Sequence, residues 1–70
     1  MTAITAERQH AQLLYTVPEV LTLCRMSRAT FYREVNARRL AIVKQGSSTR
    51  VAAADLDAYV ELLRSEARAA

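Results

Sequence analysis

The sequence predicts a mainly helical domain carrying one small β-hairpin, and three observations predict it. Apolar residues recur at i, i+3, i+4 and i+7 twice, at Val17, Val20, Leu21 and Cys24 and again at Leu56, Tyr59, Val60 and Leu63. Two N-cap signatures, at Thr16 and Ser27, are separated by a single short helix. The only glycine, Gly46, lies between two β-rich runs.

Size restricts what such a chain can do. Its 70 residues make one domain at most. A chain this short buries only about 60% of its unfolded surface, so marginal stability is expected, and it has no room for an active-site cleft between two layers. The apolar content is 51%, but 13 of those residues are alanine, so the large-residue core is small. One cysteine excludes an intrachain disulfide and suits a reducing compartment. No apolar run approaches the roughly 18 residues that cross a bilayer. The opening "MTAITAERQH" lacks a basic region followed by an apolar one, so neither a secretory signal nor a membrane partner is expected. These features point to a cytoplasmic location.

The elements follow in order. Residues 1–12 are polar and are expected to form a flexible N-terminal arm, with a nascent helix as the alternative. "LLYT" (13–16) reads as a brief strand, which can pair with the hairpin. Thr16-Val17-Pro18-Glu19 is a capping box, with proline tolerated in the first turn. The helix it opens buries the first apolar stripe, which Leu23 widens, and ends near Cys24 or Arg25. Only Arg25 and Met26 separate it from the Ser27 cap, so the two helices form a helix-turn-helix with Met26 pinning the turn. The second helix spans about Arg28 to Arg38. Phe31 and Val35 make its buried seam. Ala29, Arg33, Asn36 and Ala37 lie opposite, with Arg28 and Tyr32 on one flank. In 39–52 the period changes: Leu40–Val43 and Thr49–Val51 are β-rich and Gln45–Ser48 turn between them. A third helix, roughly 53–65, carries Asp55 and Asp57 in its first turn, where the helix dipole favours them. Residues 66–70 are expected to fray. The domain therefore spans 13–65, and helix, tight turn, helix, hairpin, helix is the order of a winged helix-turn-helix.

Charge is segregated. Residues 27–50 hold six cations against Glu34, net +5, while 51–70 hold two cations against four carboxylates, net −2, and 1–26 are balanced. A basic middle between neutral and acidic parts suits a polyanionic partner. The alternative is a solvated surface, although such a helix face more often carries Glu and Lys at i, i+4.

The stretch "LLYTVPEVLTLCRMSRATFYREVNARRLAIVKQGSSTRVAAADLDAYV" resembles the small MerR-like, excisionase-type DNA-binding domains of phages and bacteria. The landmarks are Thr16–Val20, Met26–Arg33, the hairpin with Gly46 and Arg50, and Asp55–Tyr59, in that order and without insertion. The family usually has glycine in the turn and after the second helix, where this chain has Arg25 and Arg38-Arg39. It often has proline after Leu40, where this chain has Ala41. The resemblance implies a phage excisionase, a DNA-bending recombination directionality factor acting in a bacterial host cell. Its partners would be double-stranded DNA with attachment-site repeats, an integrase, and further copies of itself bound cooperatively; head-to-tail contacts are expected because the sequence encodes no heptad or large apolar dimer face.

The site residues follow from both readings. Arginine can fork to guanine O6/N7 and asparagine can pair with adenine N6/N7, and small residues let a helix approach the base edges. The recognition-helix set is Ser27, Arg28, Ala29, Thr30, Tyr32, Arg33 and Asn36; the resemblance itself puts Arg28, Tyr32 and Arg33 at DNA. The wing set is Lys44, Gln45, Gly46, Ser47, Ser48 and Arg50, with Thr49 beside them, placed to reach phosphates and the minor groove. Its bland counterpart is a plain β-turn. Cys24 reads as a small core residue and His10 as solvated, and one of each cannot build a zinc site. No nucleophile–base pair or phosphate loop is present, so no catalysis, metal, cofactor or small-molecule substrate is expected. Alternatives to an excisionase are a small transcriptional regulator and, in another class, a protein-interaction module such as an antirepressor or integrase adaptor.

Overall fold

In the computed structural model, residues 12–69 are described. Apart from Gln12, the arm expected over 1–12 lies outside the described residues, as does His10. The elements are β1 (Leu14–Thr16), α1 (Val17–Cys24), α2 (Arg28–Asn36), β2 (Val43–Gln45), β3 (Ser48–Ala52) and α3 (Ala53–Ala69). The strands form an antiparallel sheet ordered β1-β3-β2, so the brief N-terminal strand does pair with the hairpin. This is a winged helix-turn-helix.

Local chemistry sets the helix boundaries. The Thr16 hydroxyl accepts from the Glu19 N–H at 3.2 Å, and the Glu19 carboxylate accepts from the Thr16 N–H at 2.8 Å, so the capping box is closed both ways. That backbone hydrogen bond is the main cause holding the Glu19 carboxyl below its usual range. At the other end of α1, Arg25 takes left-handed geometry (φ 54, ψ 49) and Met26 N–H returns to Leu21 C=O at 3.0 Å. Leu21 and Met26 both pack against the core, which holds the turn in place.

Ser27 caps α2, accepting from the Thr30 N–H at 3.1 Å. The helix stops at Asn36, short of the expected Arg38, because Arg38 is left-handed (φ 63). Arg38 N–H bonds Val35 C=O and Arg39 N–H bonds Glu34 C=O, both at 3.0 Å, which is a Schellman ending. The two left-handed arginines stand at positions where the family resemblance leads one to expect glycine. Each occupies a backbone region that costs an L-residue about 1–2 kcal/mol. The arginines keep the turn geometry without the glycines.

The core is Val17, Val20, Phe31, Leu40, Val51, Leu56 and Tyr59, with Tyr15, Leu21, Cys24, Met26, Val35 and Ile42 packed against it. Three expectations are corrected. Leu23 does not widen the buried stripe; it is 61% exposed. At about 100° per residue it lies roughly 110° from the stripe's centre. Leu40 to Ile42 are not strand residues, and the hairpin strand begins at Val43. Leu40 is instead a buried anchor between helix and hairpin. The third helix does not end near 65 with a frayed tail; it continues through Ala69. Alanine propensity, Arg68 near the negative end of the dipole and a contact from Glu66 to Arg39 explain the extension. Its buried residues, Ala53, Leu56 and Tyr59, lie in the first half, so Val60 and Leu63 remain exposed on the same stripe.

Candidate nucleic-acid interface

The outward face of α2 is built as its spacing requires. Phe31 is fully buried beneath it. Arg28, Ala29, Tyr32, Arg33, Asn36 and Ala37 are exposed. The Tyr32 ring stands edge-on to Phe31, centroids 4.9 Å apart at 87°, which fixes its direction from the core outward. At the N-terminal edge, the Ser27 hydroxyl donates to Thr30 Oγ1 at 3.0 Å and an Arg33 guanidinium N–H donates to the same oxygen at 3.3 Å.

The wing is a tight hairpin. Gln45 pairs with Ser48, leaving Gly46 and Ser47 as the turn. Gly46 has φ +62 while Ser47 is not left-handed, as a type II′ hairpin turn requires. A Cβ on Gly46 would meet nothing within 4 Å, so the backbone alone selects glycine there. Lys44 lies opposite Thr49 and donates to its hydroxyl at 3.1 Å. Strand alternation puts Lys44 and Thr49 on the face of Val51, which is buried, and Arg50 on the other face. The wing cations are thus not brought together. Arg50 lies opposite Thr16 and helps hold Glu19 ionised.

The basic segment is not uniformly free. Arg39 donates from Nε to Glu34 at 2.9 Å and from both terminal nitrogens to Glu66 at 2.5 and 2.7 Å. Tyr59 O–H donates to the other Glu34 oxygen at 2.8 Å. The network joins the C-terminal part of α2 to both halves of α3. It keeps Arg39 firmly protonated and holds the Glu66 carboxyl below its usual range. Among the described residues, Arg28, Arg33, Arg38 and Lys44 have no ion pair. Sequence reading missed this division because Arg39 and Glu66 stand 27 positions apart; the segment charge counts every cation alike.

The network predicts an alkaline limit to stability. Burial, and then the hydrogen bond to Glu34, push the Tyr59 pKa from an ordinary 10.0 to about 12. The folded state favours neutral tyrosine. Its contribution is complete below the unfolded pKa and is lost as pH rises through the folded one. The urea midpoint should therefore fall across that interval, and Tyr59→Phe should remove this component of the fall. An identical alkaline profile in Tyr59→Phe would refute the assignment.

A winged helix-turn-helix presenting unpaired cations along its second helix defines a DNA-binding class of domain. In agreement, a family model described as a helix-turn-helix domain matches residues 14–61, more than half of the chain. The protein belongs to this helix-turn-helix family, a generally non-enzymatic one. Searches of curated proteins and of solved structures return no match. Among the described residues, no cluster of His, Cys, Asp and Glu has metal-ligand arrangement and no helix is long and apolar enough to cross a membrane.

Proposed function

We propose that this protein is a sequence-specific, DNA-bending excisionase-type factor. It binds repeated sites in a phage attachment region and directs an integrase toward excision. The observation that carries DNA reading is the outward face of α2, where Arg28, Arg33 and Asn36 are exposed while the nearby Arg39 is neutralised internally. Ala29, Tyr32, Arg33 and Asn36 form the base-facing set, with Ser27, Arg28 and Thr30 at its N-terminal edge. The Lys44–Arg50 wing lies on flanking backbone. The excision role rests on the sequence resemblance, and the matched helix-turn-helix family includes excisionase-like proteins.

One module buries modest DNA surface and binds weakly. Bending 20–30 base pairs costs on the order of 1–6 kcal/mol, which several adjacent subunits share more easily than one. The protein is therefore monomeric in dilute solution and cooperative on DNA. Contacts run head to tail, because the exposed apolar residues Leu13, Leu23, Val60 and Leu63 form no heptad seam.

A titration of DNA carrying one, two or three sites tests this reading. Per-site affinity should rise with site number; equal affinity on all three refutes the cooperative assembly. Repeating it with protein lacking residues 1–12 tests the arm as one side of the contact, and unchanged cooperativity removes the arm from it. Addition to an integrase reaction should raise excision over integration, and no shift refutes the excision role alone. Lys44→Ala should weaken all sequences about equally and reduce the salt slope by about one. A Lys44→Ala loss restricted to the preferred site would instead make Lys44 a base reader.

A further inference from the structure

We propose that Thr30 is a positioning residue that makes Arg33, rather than Arg28 or Arg38, the base-reading arginine of α2. The inference rests on reading α2 as the DNA-facing helix. Three hydrogen bonds converge at the N-terminal edge of that helix. The Thr30 N–H donates to Ser27 Oγ at 3.1 Å, the Ser27 hydroxyl donates to Thr30 Oγ1 at 3.0 Å, and an Arg33 Nη2 N–H donates to Thr30 Oγ1 at 3.3 Å.

A threonine hydroxyl has two acceptor lone pairs and one proton. Ser27 and Arg33 occupy both lone pairs. Thr30 Oγ1 is itself held by the Ser27 hydroxyl, whose oxygen in turn accepts from the Thr30 N–H, so the acceptor that Arg33 finds is fixed by the helix cap. Thr30 is half-buried whereas Arg33 is exposed. The spacing i, i+3 puts the two side chains one above the other, and long helical side chains lean toward the N-terminus, so the guanidinium lies along the helix face rather than free in solvent.

Ordering matters because an arginine that binds a base must give up its rotamer freedom. A guanidinium offers five N–H donors, and one bond to Thr30 leaves four, including the second Nη2 proton and both on Nη1. The pair of donors needed to fork onto guanine O6 and N7 is retained. Arg28 and Arg38 have no hydrogen-bond or ion-pair partner of this kind among the described residues. They suit phosphate contacts, where a mobile charge is sufficient. Thr30 thus acts through Arg33.

The test compares Thr30→Val, which removes the acceptor at nearly constant shape, with Thr30→Ser, which keeps it. Affinities are measured on the preferred site and on its single-base variants, in wild-type and Arg33→Ala backgrounds. Thr30→Val should lower preferred-site affinity about 2- to 10-fold, the cost of ordering one long side chain. The loss should fall at the base pair whose discrimination Arg33→Ala also abolishes. Thr30→Ser should behave as wild type, and Thr30→Val should add nothing in the Arg33→Ala background. A uniform loss on all sequences, or an equal loss without Arg33, overturns the proposal.

A DNA-free measurement separates this from failure of the functional reading. In the free protein, ¹⁵N relaxation of the Arg33 side chain should report greater mobility in Thr30→Val than in wild type or Thr30→Ser. Unchanged mobility overturns the positioning role whatever DNA does. Increased mobility in a protein with no sequence preference upholds the positioning and rejects the DNA-reading assignment of α2.

Discussion

Phe31→Ala should remove most of the stability of this domain. Phe31 is fully buried and is among the largest side chains so enclosed, with Leu40, Val20 and Val51. It comes from the middle of α2 and joins the cluster that α1, the post-helical Leu40, β3 and α3 all enter. Truncating a buried phenylalanine to alanine costs about 3–5 kcal/mol, through lost transfer free energy and an unfilled cavity. Small domains have roughly 5 kcal/mol or little more in total. The mutant should be largely unfolded at 37 °C, or melt far below wild type with a shallow transition. Phe31→Leu, which keeps much of the volume, should cost less than half as much. The measurement is thermal or urea unfolding followed by far-ultraviolet circular dichroism. A cooperative Phe31→Ala melt near the wild-type temperature would place Phe31 outside the energetic core. The same substitution also removes the surface that Tyr32 stands against.

The parts of this fold that could be read in the sequence are those fixed by neighbours within about one turn. Thr16 and Glu19 form their reciprocal cap, Ser27 caps α2, and Gly46 makes the wing turn, all through contacts at most three residues apart. Phe31 and Val35 face inward as a helical seam should. What was not readable depends on distance. Arg39 reaches Glu66 across 27 positions, and Tyr59 reaches Glu34 across 25. No periodicity encodes those pairs, so in the sequence Arg39 is one more cation and the residues around Glu66 resemble a tail. Leu23 differs in kind: its hydrophobicity suits a core position, but its angle on the helix points it to solvent. The left-handed turns at Arg25 and Arg38 are a third case. Their conformation is not signalled by arginine, a residue that rarely adopts the left-handed region. The candidate interface divides in the same way. The outward face of α2 follows from helical angle, whereas the separation of Lys44 and Arg50 onto opposite faces follows from the register of β2 on β3, which sets Lys44 against Thr49.

Arg33→Ala should cost about 1–3 kcal/mol on the preferred DNA site and much less on other sequences. The direction follows from geometry. Arg33 lies on the exposed face opposite the Phe31 seam, and Ala29 and Ala37 on that face add no bulk to keep the helix axis from a groove floor. It has no ion pair among the described residues, so its full charge and most of its donors are available to DNA. Removing an exposed side chain leaves the folded core intact, so the mutant should unfold within about 0.5 kcal/mol of wild type. Affinity loss can then be assigned to the interface and not to stability. The informative quantity is the ratio of preferred-site to non-specific affinity at fixed salt, because phosphate contacts contribute to both terms and cancel. A base reader lowers the ratio, whereas a phosphate contact lowers both affinities and leaves the ratio alone. Lys44→Ala supplies the second pattern in the same protein, with a salt slope smaller by about one. If Arg33→Ala kept the wild-type ratio, Arg33 would be another backbone contact, and sequence discrimination would have to come from Asn36, from Arg28 or from the deformability of the site.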